Sequence, residues 1–283
     1  MKYFHNILML VLFVVLVGWG LDCHAGKVDD LIFKGADYQY NGNLDQARQM
    51  FEQVLSLEPN NEYALNQLAL IYAKNENFDQ AYRLFKKVVG LSPENIFARI
   101  WLGVLDLHQN NLDAAFKQFQ KTLRMDPNNA NAYYFLGVIY SVEHNMKKSI
   151  EYLRKAQKVG SDDPETHYRL AKAFSGLNMI ANAQLEFERA LELNPEYAEA
   201  MNSLGWLYYN QGDKERAINT WKKILVFRPK DPEVRHNLAK IYNDAAYTNF
   251  KQGNFEKAKG LWNKTLEYEP GNKAAKHYLQ KIR

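Results

Sequence analysis

What most narrows the fold of this 283-residue chain is a period. Pro59, Pro93 and Pro127 recur at a constant interval of thirty-four, Ser161 takes the next place, and Pro195 and Pro229 resume the spacing. Self-similarity at such a period marks arrays whose single units cannot bury their own hydrophobic faces, so neighbours must stack. Cutting the chain at 28, 62, 96, 130, 164, 198 and 232 aligns seven units. Their seventh column reads Lys34, Leu68, Leu102, Leu136, Leu170, Leu204 and Leu238. The eighth is always small: Gly35, Ala69, Gly103, Gly137, Ala171, Gly205, Ala239. The eleventh is Tyr38, Tyr72, Asp106, Tyr140, Phe174, Tyr208 and Tyr242. Steps of three and four put these columns on one side of a helix, where a small residue admits a second helix and a large ring fills the space one turn away.

The second half of each unit repeats the logic. Ala47, Ala81, Ala115, Ser149, Ala183 and Ala217 stand four residues before Phe51, Phe85, Phe119, Leu153, Phe187 and Trp221, the stripe of a second amphipathic helix. Between the halves, Gly42 and Gly212 suit a left-handed C-cap, and Asn43, Asn77, Asn111 and Asp213 suit the N-cap of the helix that follows. Each unit is therefore expected to be a helical hairpin.

This pattern of Leu, Gly/Ala, Tyr, Ala, Phe and Pro at fixed offsets within the period resembles the tetratricopeptide repeat (TPR) family throughout 28–272. The resemblance implies an all-α, right-handed superhelical solenoid of about seven hairpins, with the first helices lining a concave groove where family members typically bind proteins or peptides. Lys34 departs from the leucine column, as suits a terminal unit with one face toward water. Residues 273–283 read as a capping helix, with Ala275, Tyr278 and Leu279 inward and Lys273, Lys276 and Lys281 outward.

The last unit is long. The interval from Pro229 to Pro270 exceeds the period by seven. Asp231-Pro232-Glu233 starts a helix well, with an N-cap and a proline at N1, and no Gly or Pro interrupts it before Gly253. The surplus is thus expected inside a first helix running roughly from 232 to 251. Seven residues are nearly two turns, a drift of only ~20°, so Ala245 and Ala246 echo Leu238 and Ala239 on nearly the same face.

Residues 1–25 are a different material. Lys2 and His5 precede an unbroken apolar run from Ile7 to Val17, and Cys23-His24-Ala25 places small residues before Gly26. This is the layout of a secretory signal cut after Ala25, and the run is short of the ~20 residues that span a bilayer as a helix. The alternatives are a retained membrane anchor and lipidation of Cys23, the single cysteine; Asp22 departs from the small residue that lipidation signals carry there. An exported chain, periplasmic or otherwise associated with the cell envelope, is expected, with membrane contact only through this segment.

The formal charge of +4 is mild and the Lys and Arg are scattered, which argues for solvated helix faces rather than a nucleic-acid groove. No catalytic motif is present: the only close glycine pair, Gly18 and Gly20, lies in the N-terminal segment, and His108, His144, His167, His236 and His277 lack metal-binding spacing. No enzyme activity, cofactor or metal is expected. A non-enzymatic scaffold or adaptor is, with an architecture like that of bacterial envelope proteins serving pilus, secretion or polysaccharide-export assemblies.

By the resemblance, positions 2, 5, 9, 12 and 13 of each unit face the groove. In units two to four these include Tyr63, Asn66, Leu70, Phe97, Ile100, Val104, Leu107, Tyr134 and Val138, a largely apolar set. In units five to seven they include Tyr168, Lys172, Asn202, Trp206, Tyr209, His236 and Lys240, aromatic and polar with two positive charges. Some of these are expected to pack between adjacent first helices. The carboxylate clamp of some relatives is not expected, because no unit carries Lys at position five with Asn at nine, and Glu165 stands where Lys is needed ahead of Arg169. Asp106 breaks an aromatic column; it is expected to reach solvent or a neighbour's polar group while Leu105 or Leu107 fills the space, the alternative being a polar groove spot with His108.

Overall fold

The computed structural model describes residues 26–160 and 162–282; the signal expected over 1–25, with Cys23, lies outside them. Every regular element described is helical. The helices are α1 (Lys27–Tyr40), α2 (Leu44–Leu57), α3 (Glu62–Lys74), α4 (Phe78–Leu91), α5 (Ile96–His108), α6 (Leu112–Met125), α7 (Ala130–Val142), α8 (Met146–Lys158), α9 (Pro164–Gly176), α10 (Ile180–Leu193), α11 (Ala198–Asn210), α12 (Lys214–Phe227), α13 (Pro232–Lys251), α14 (Phe255–Tyr268) and α15 (Lys273–Lys281). Odd and even helices alternate as first and second members of seven hairpins, with α15 left over. The chain divides into two compact halves, up to Ile139 and from Tyr140 onward.

The hairpin turn uses one backbone device throughout. Gly42, Gly212 and Gly253 hold φ of 78°, 84° and 79°, and Glu76, Asn110, His144 and Asn178 at the equivalent places hold 56° to 59°. A left-handed residue closes every first helix, whether or not glycine is there to make it cheap. Entry to the next helix is capped by side chains in some hairpins: Asn77 accepts from the Gln80 amide at 3.4 Å and Asp213 from Arg216 at 2.9 Å. Asn43 and Asn111 hold the N-cap place without a side-chain bond.

The two helices of a hairpin interlock through the small eighth column. A Cβ on Gly103 would lie 2.6 Å from the Phe119 ring, and one on Gly205 would fall inside the Trp221 indole. At the start of the first half this packing gathers Leu31, Ala47, Phe51, Val54, Ala64, Leu68 and Ile71 into one buried cluster. Stacked rings continue it, Phe85 on Trp101 at 5.8 Å and Phe119 on Phe135 at 5.0 Å. At the edge, Lys34 is exposed and pairs with Asp30 at 2.9 Å.

In the second half α13 is continuous over 20 residues, through 243–247. Its added turns change which residue meets the second helix. Trp262 of α14 packs in one cluster with Ala246, Ala258 and Ala275. Its indole N–H donates to Asn243 Oδ1 at 3.1 Å, as Trp221 donates to the Asn202 carbonyl at 3.4 Å, both across 19 residues. Ala246, not Ala239, thus takes the small-residue role in the last hairpin, and α14 has moved two turns along α13. Tyr278 of α15 stacks on Trp262 at 4.9 Å and lies 5.3 Å from Phe250, closing this cluster with Leu279 and Ile282.

If close approach at the eighth column sets hairpin packing, Gly205→Val should destabilise the chain by about 1–3 kcal/mol in denaturant unfolding, as overpacking does, whereas Gly212→Ala should cost about 1 kcal/mol through its left-handed backbone alone.

Candidate functional site

The inner columns divide by burial. In the first half Leu70, Ile100, Val104, Tyr134 and Asn66 are buried. What remains open is Tyr63, 39% exposed, with Phe97, Leu107 and Val138 half-buried. Tyr63 and Phe97 stand edge-on against the rings of the preceding second helices, Phe51 and Phe85, each at 6.2 Å, and Phe97 also meets Trp101 at 6.4 Å. Edge-to-face packing fixes these rings before any ligand arrives.

In the second half Tyr168 is buried, and its ring meets Phe187 and Tyr197. Trp206 and Tyr209 are half-open, 5.4 Å apart and perpendicular, with Trp206 resting on Trp221 at 5.3 Å. The Lys240 ammonium lies over both, 5.5 Å and 5.8 Å from their centroids. Asn202 donates to Glu233 at 2.7 Å and accepts from Asn237 at 3.2 Å. Lys172 and His236 are exposed, His236 Nδ1 being 3.9 Å from Glu269. Arg169 and Glu165 pair with each other at 2.8 Å, and Tyr197 donates to the same carboxylate, so neither group is held out as a clamp would require.

Asp106 does not reach solvent. It is 1% exposed and shares a hydrogen bond with Tyr82 of α4, while its Oδ2 has no partner. Nor does it join His108, whose ring packs at a tilt against Phe78, centroids 4.1 Å apart. The reason is where the eleventh column faces. Its residues meet the second helix of the preceding hairpin: Tyr72 donates to Glu52 at 3.4 Å, Tyr208 to Glu188 at 3.2 Å, and the Phe174 ring takes the Arg154 guanidinium at 5.4 Å. In the third hairpin the tyrosine and the carboxylate have exchanged helices, so Asp106 reaches a neighbour's polar group, as expected, but from inside. Burial raises its carboxyl pKa, opposed by the Tyr82 bond.

One cluster was not foreseen. His167, 6% exposed, lies between Asp162 Oδ1 at 2.8 Å on Nε2 and Glu186 Oε2 at 2.7 Å on Nδ1. Arg189 approaches Asp162 at 3.6 Å from α10. Burial opposes charge on the imidazole, but the bonds to Glu186 and Asp162 outweigh it and the pKa is raised. This clamp ties α9 to α10 and to the α8–α9 junction, where Ser161 stands in place of the periodic proline. The sequence signal was that pairing of a missing proline with adjacent acids.

Among the described residues no helix is long and apolar enough to cross a membrane, and no cluster of three or more His, Cys, Asp or Glu is placed to hold a metal ion.

Tetratricopeptide repeat family patterns match residues 39–89, 98–164 and 168–232. Two Photosystem I assembly proteins Ycf3 of Prochlorococcus marinus are 37% and 36% identical over 59 residues, 20% of this chain; the match spans only 34% of each relative's length. YrrB, a TPR protein with an unusual peptide-binding site, superposes with a TM-score of 0.53 at 25% identity, covering 69% of this chain and 97% of its own. The C-terminal part of a TPR protein of Cytophaga hutchinsonii gives 0.67 at 20% identity over 87% of this chain and 98% of its own, a likeness of fold alone.

Two titrations follow from the buried groups. Asp106 has a raised folded pKa, so its share of stability falls as pH climbs from the ordinary carboxylate value of 3.8 through the raised one; Asp106→Asn should melt higher than the parent at neutral pH and flatten that slope in a pH series of thermal melts. His167 also has a raised folded pKa, but the charged form is the stabilising one: its contribution is complete below 6.5 and is lost as pH rises through the raised value. His167→Gln should therefore lower Tm most at acidic pH and converge on the parent at alkaline pH.

Proposed function

Because this chain belongs to the tetratricopeptide repeat family, a family of protein-interaction scaffolds, we propose that it is an exported, non-enzymatic scaffold that holds a protein or peptide against the inner columns of its first helices. The observation that carries the reading is the set of accessible aromatic rings, Tyr63 and Phe97 in the first half and the Trp206–Tyr209 pair in the second, braced from behind by core rings. Burying one such side chain is worth about 1.5–3 kcal/mol, so a few anchors offset the ordering of a bound segment. A peptide-binding site on YrrB and an assembly role for the Ycf3 relatives are consistent with it.

Export and an envelope setting rest on the composition of residues 1–25, with cleavage after Ala25 as the favoured processing. In that setting the partner is a component of a pilus, secretion or polysaccharide-export assembly, and the scaffold positions it. The mature N-terminus should begin at Gly26 by N-terminal sequencing. A photo-crosslinking residue at position 97 or 206 in the native cell should capture a defined protein that Phe97→Ala and Trp206→Ala variants, still helical, fail to retain. Capture from the outward position 223 alone, with none from 97 or 206, would overturn the reading.

A further inference from the structure

The seven residues added to α13 do more than lengthen a hairpin. Lys240, Asp244, Tyr247 and Lys251 follow steps of four, three and four, so they share one face of the helix, and all but half-buried Asp244 are exposed. The face repeats one arrangement. At its N-terminal end the Lys240 ammonium lies over the Trp206 and Tyr209 rings; at its C-terminal end the Lys251 ammonium lies over Tyr247 at 4.6 Å. Neither ammonium forms an ion pair among the described residues. Each is instead held by rings, which position a cation without neutralising it. Between the two sits Asp244, whose carboxylate accepts from Tyr209 at 3.5 Å.

The surroundings favour an anion. Residues 211–283 hold 16 Lys and Arg against 8 Asp and Glu, so this part of the chain carries an excess of positive charge although the whole chain is only +4. Lys240 and Lys251 are eleven residues apart, about 16 Å along a helix; in an extended chain, whose side chains alternate between faces, the same-face separations nearest to this are four residues, about 13 Å, and six, about 20 Å. Resting on the proposed scaffold role, we infer that α13 reads an extended peptide segment with two carboxylates on one of its faces, four or six residues apart, and uncharged residues between them. Each carboxylate meets a ring-held ammonium, the intervening apolar side chains lie against Tyr209 and Tyr247, and Asp244 repels any acid in the middle. The extension sets the distance between the two ammoniums: without its seven residues Lys251 would follow Lys240 by only four, about 6 Å along the helix.

The spacing makes the inference testable with blocked eight-residue peptides of Gly, Ser and Leu bearing two glutamates. Titration into the full chain, followed by tryptophan fluorescence and calorimetry, should give binding for glutamates four or six apart, and weaker binding for glutamates five apart, whose side chains leave on opposite faces. Binding should weaken at least ten-fold when both are glutamine, and at least three-fold when the glutamates are two apart. It should also weaken as salt is raised. Lys240→Gln and Lys251→Gln should each weaken it at least three-fold with unchanged Tm, and Lys273→Gln should leave it as it was. Equal binding of the glutamine peptide, indifference to spacing, or tighter binding of a single-stranded oligouridylate through the same lysines would overturn the inference. If positions 97 and 206 crosslink a protein in the cell while none of these peptides binds, the partner chemistry falls and the scaffold role stands; if neither is seen, both fall.

Discussion

The structure depends on one steric arrangement: a large side chain from the second helix of each hairpin, a ring in all but the fourth, where it is Leu153, facing a residue with little or no side chain in the first. Gly103 under Phe119, Gly205 under Trp221 and Ala246 beside Trp262 are instances of the same contact. Because the ring fills the space that a side chain would take, the axes come close, and the residues one turn away are turned toward the neighbouring hairpin. Every later property follows from that, including which columns are buried between hairpins and which remain open.

The contact also explains why α13 tolerates seven extra residues. The ring needs a small residue on the correct face, and two nearly whole turns bring Ala246 to that face in place of Ala239. The second helix follows its small partner. Hairpin register is thus set by the ring and its seat rather than by distance from the helix start, and the displaced α14 leaves the middle of α13 to carry Lys240 and Tyr247 into solvent.

Much of this was legible in the sequence, because it is local and periodic. The left-handed turns at Gly42 and Gly212, the small column and the continuity of α13 each follow from residues within one hairpin, whereas the left-handed Glu76, Asn110, His144 and Asn178 carry no glycine to announce them. Contacts between hairpins were less legible. Asp106 looked anomalous in its own column, and only its partner Tyr82, on the second helix of the preceding hairpin, makes it ordinary. His167 read as a plain helix residue because its two carboxylates come from a junction and from a different helix. Among the inner columns, Tyr134 and Tyr168 have the same residue type as Tyr63 but are buried, and spacing alone does not say which will be.

Ring and seat set the register, and deletion within α13 tests this most directly. Removing residues 240–246 leaves Ala239 sixteen residues before Trp262, the separation that Gly205 has from Trp221, and turns the helix face by only ~20°. That variant should keep its far-ultraviolet circular dichroism, a cooperative melt and buried tryptophan emission. Removing five residues, 242–246, rotates the face by roughly 140° at 3.6 residues per turn and should expose Trp262, with red-shifted emission and loss of near-ultraviolet dichroism. Equal behaviour of the two deletions would contradict the account.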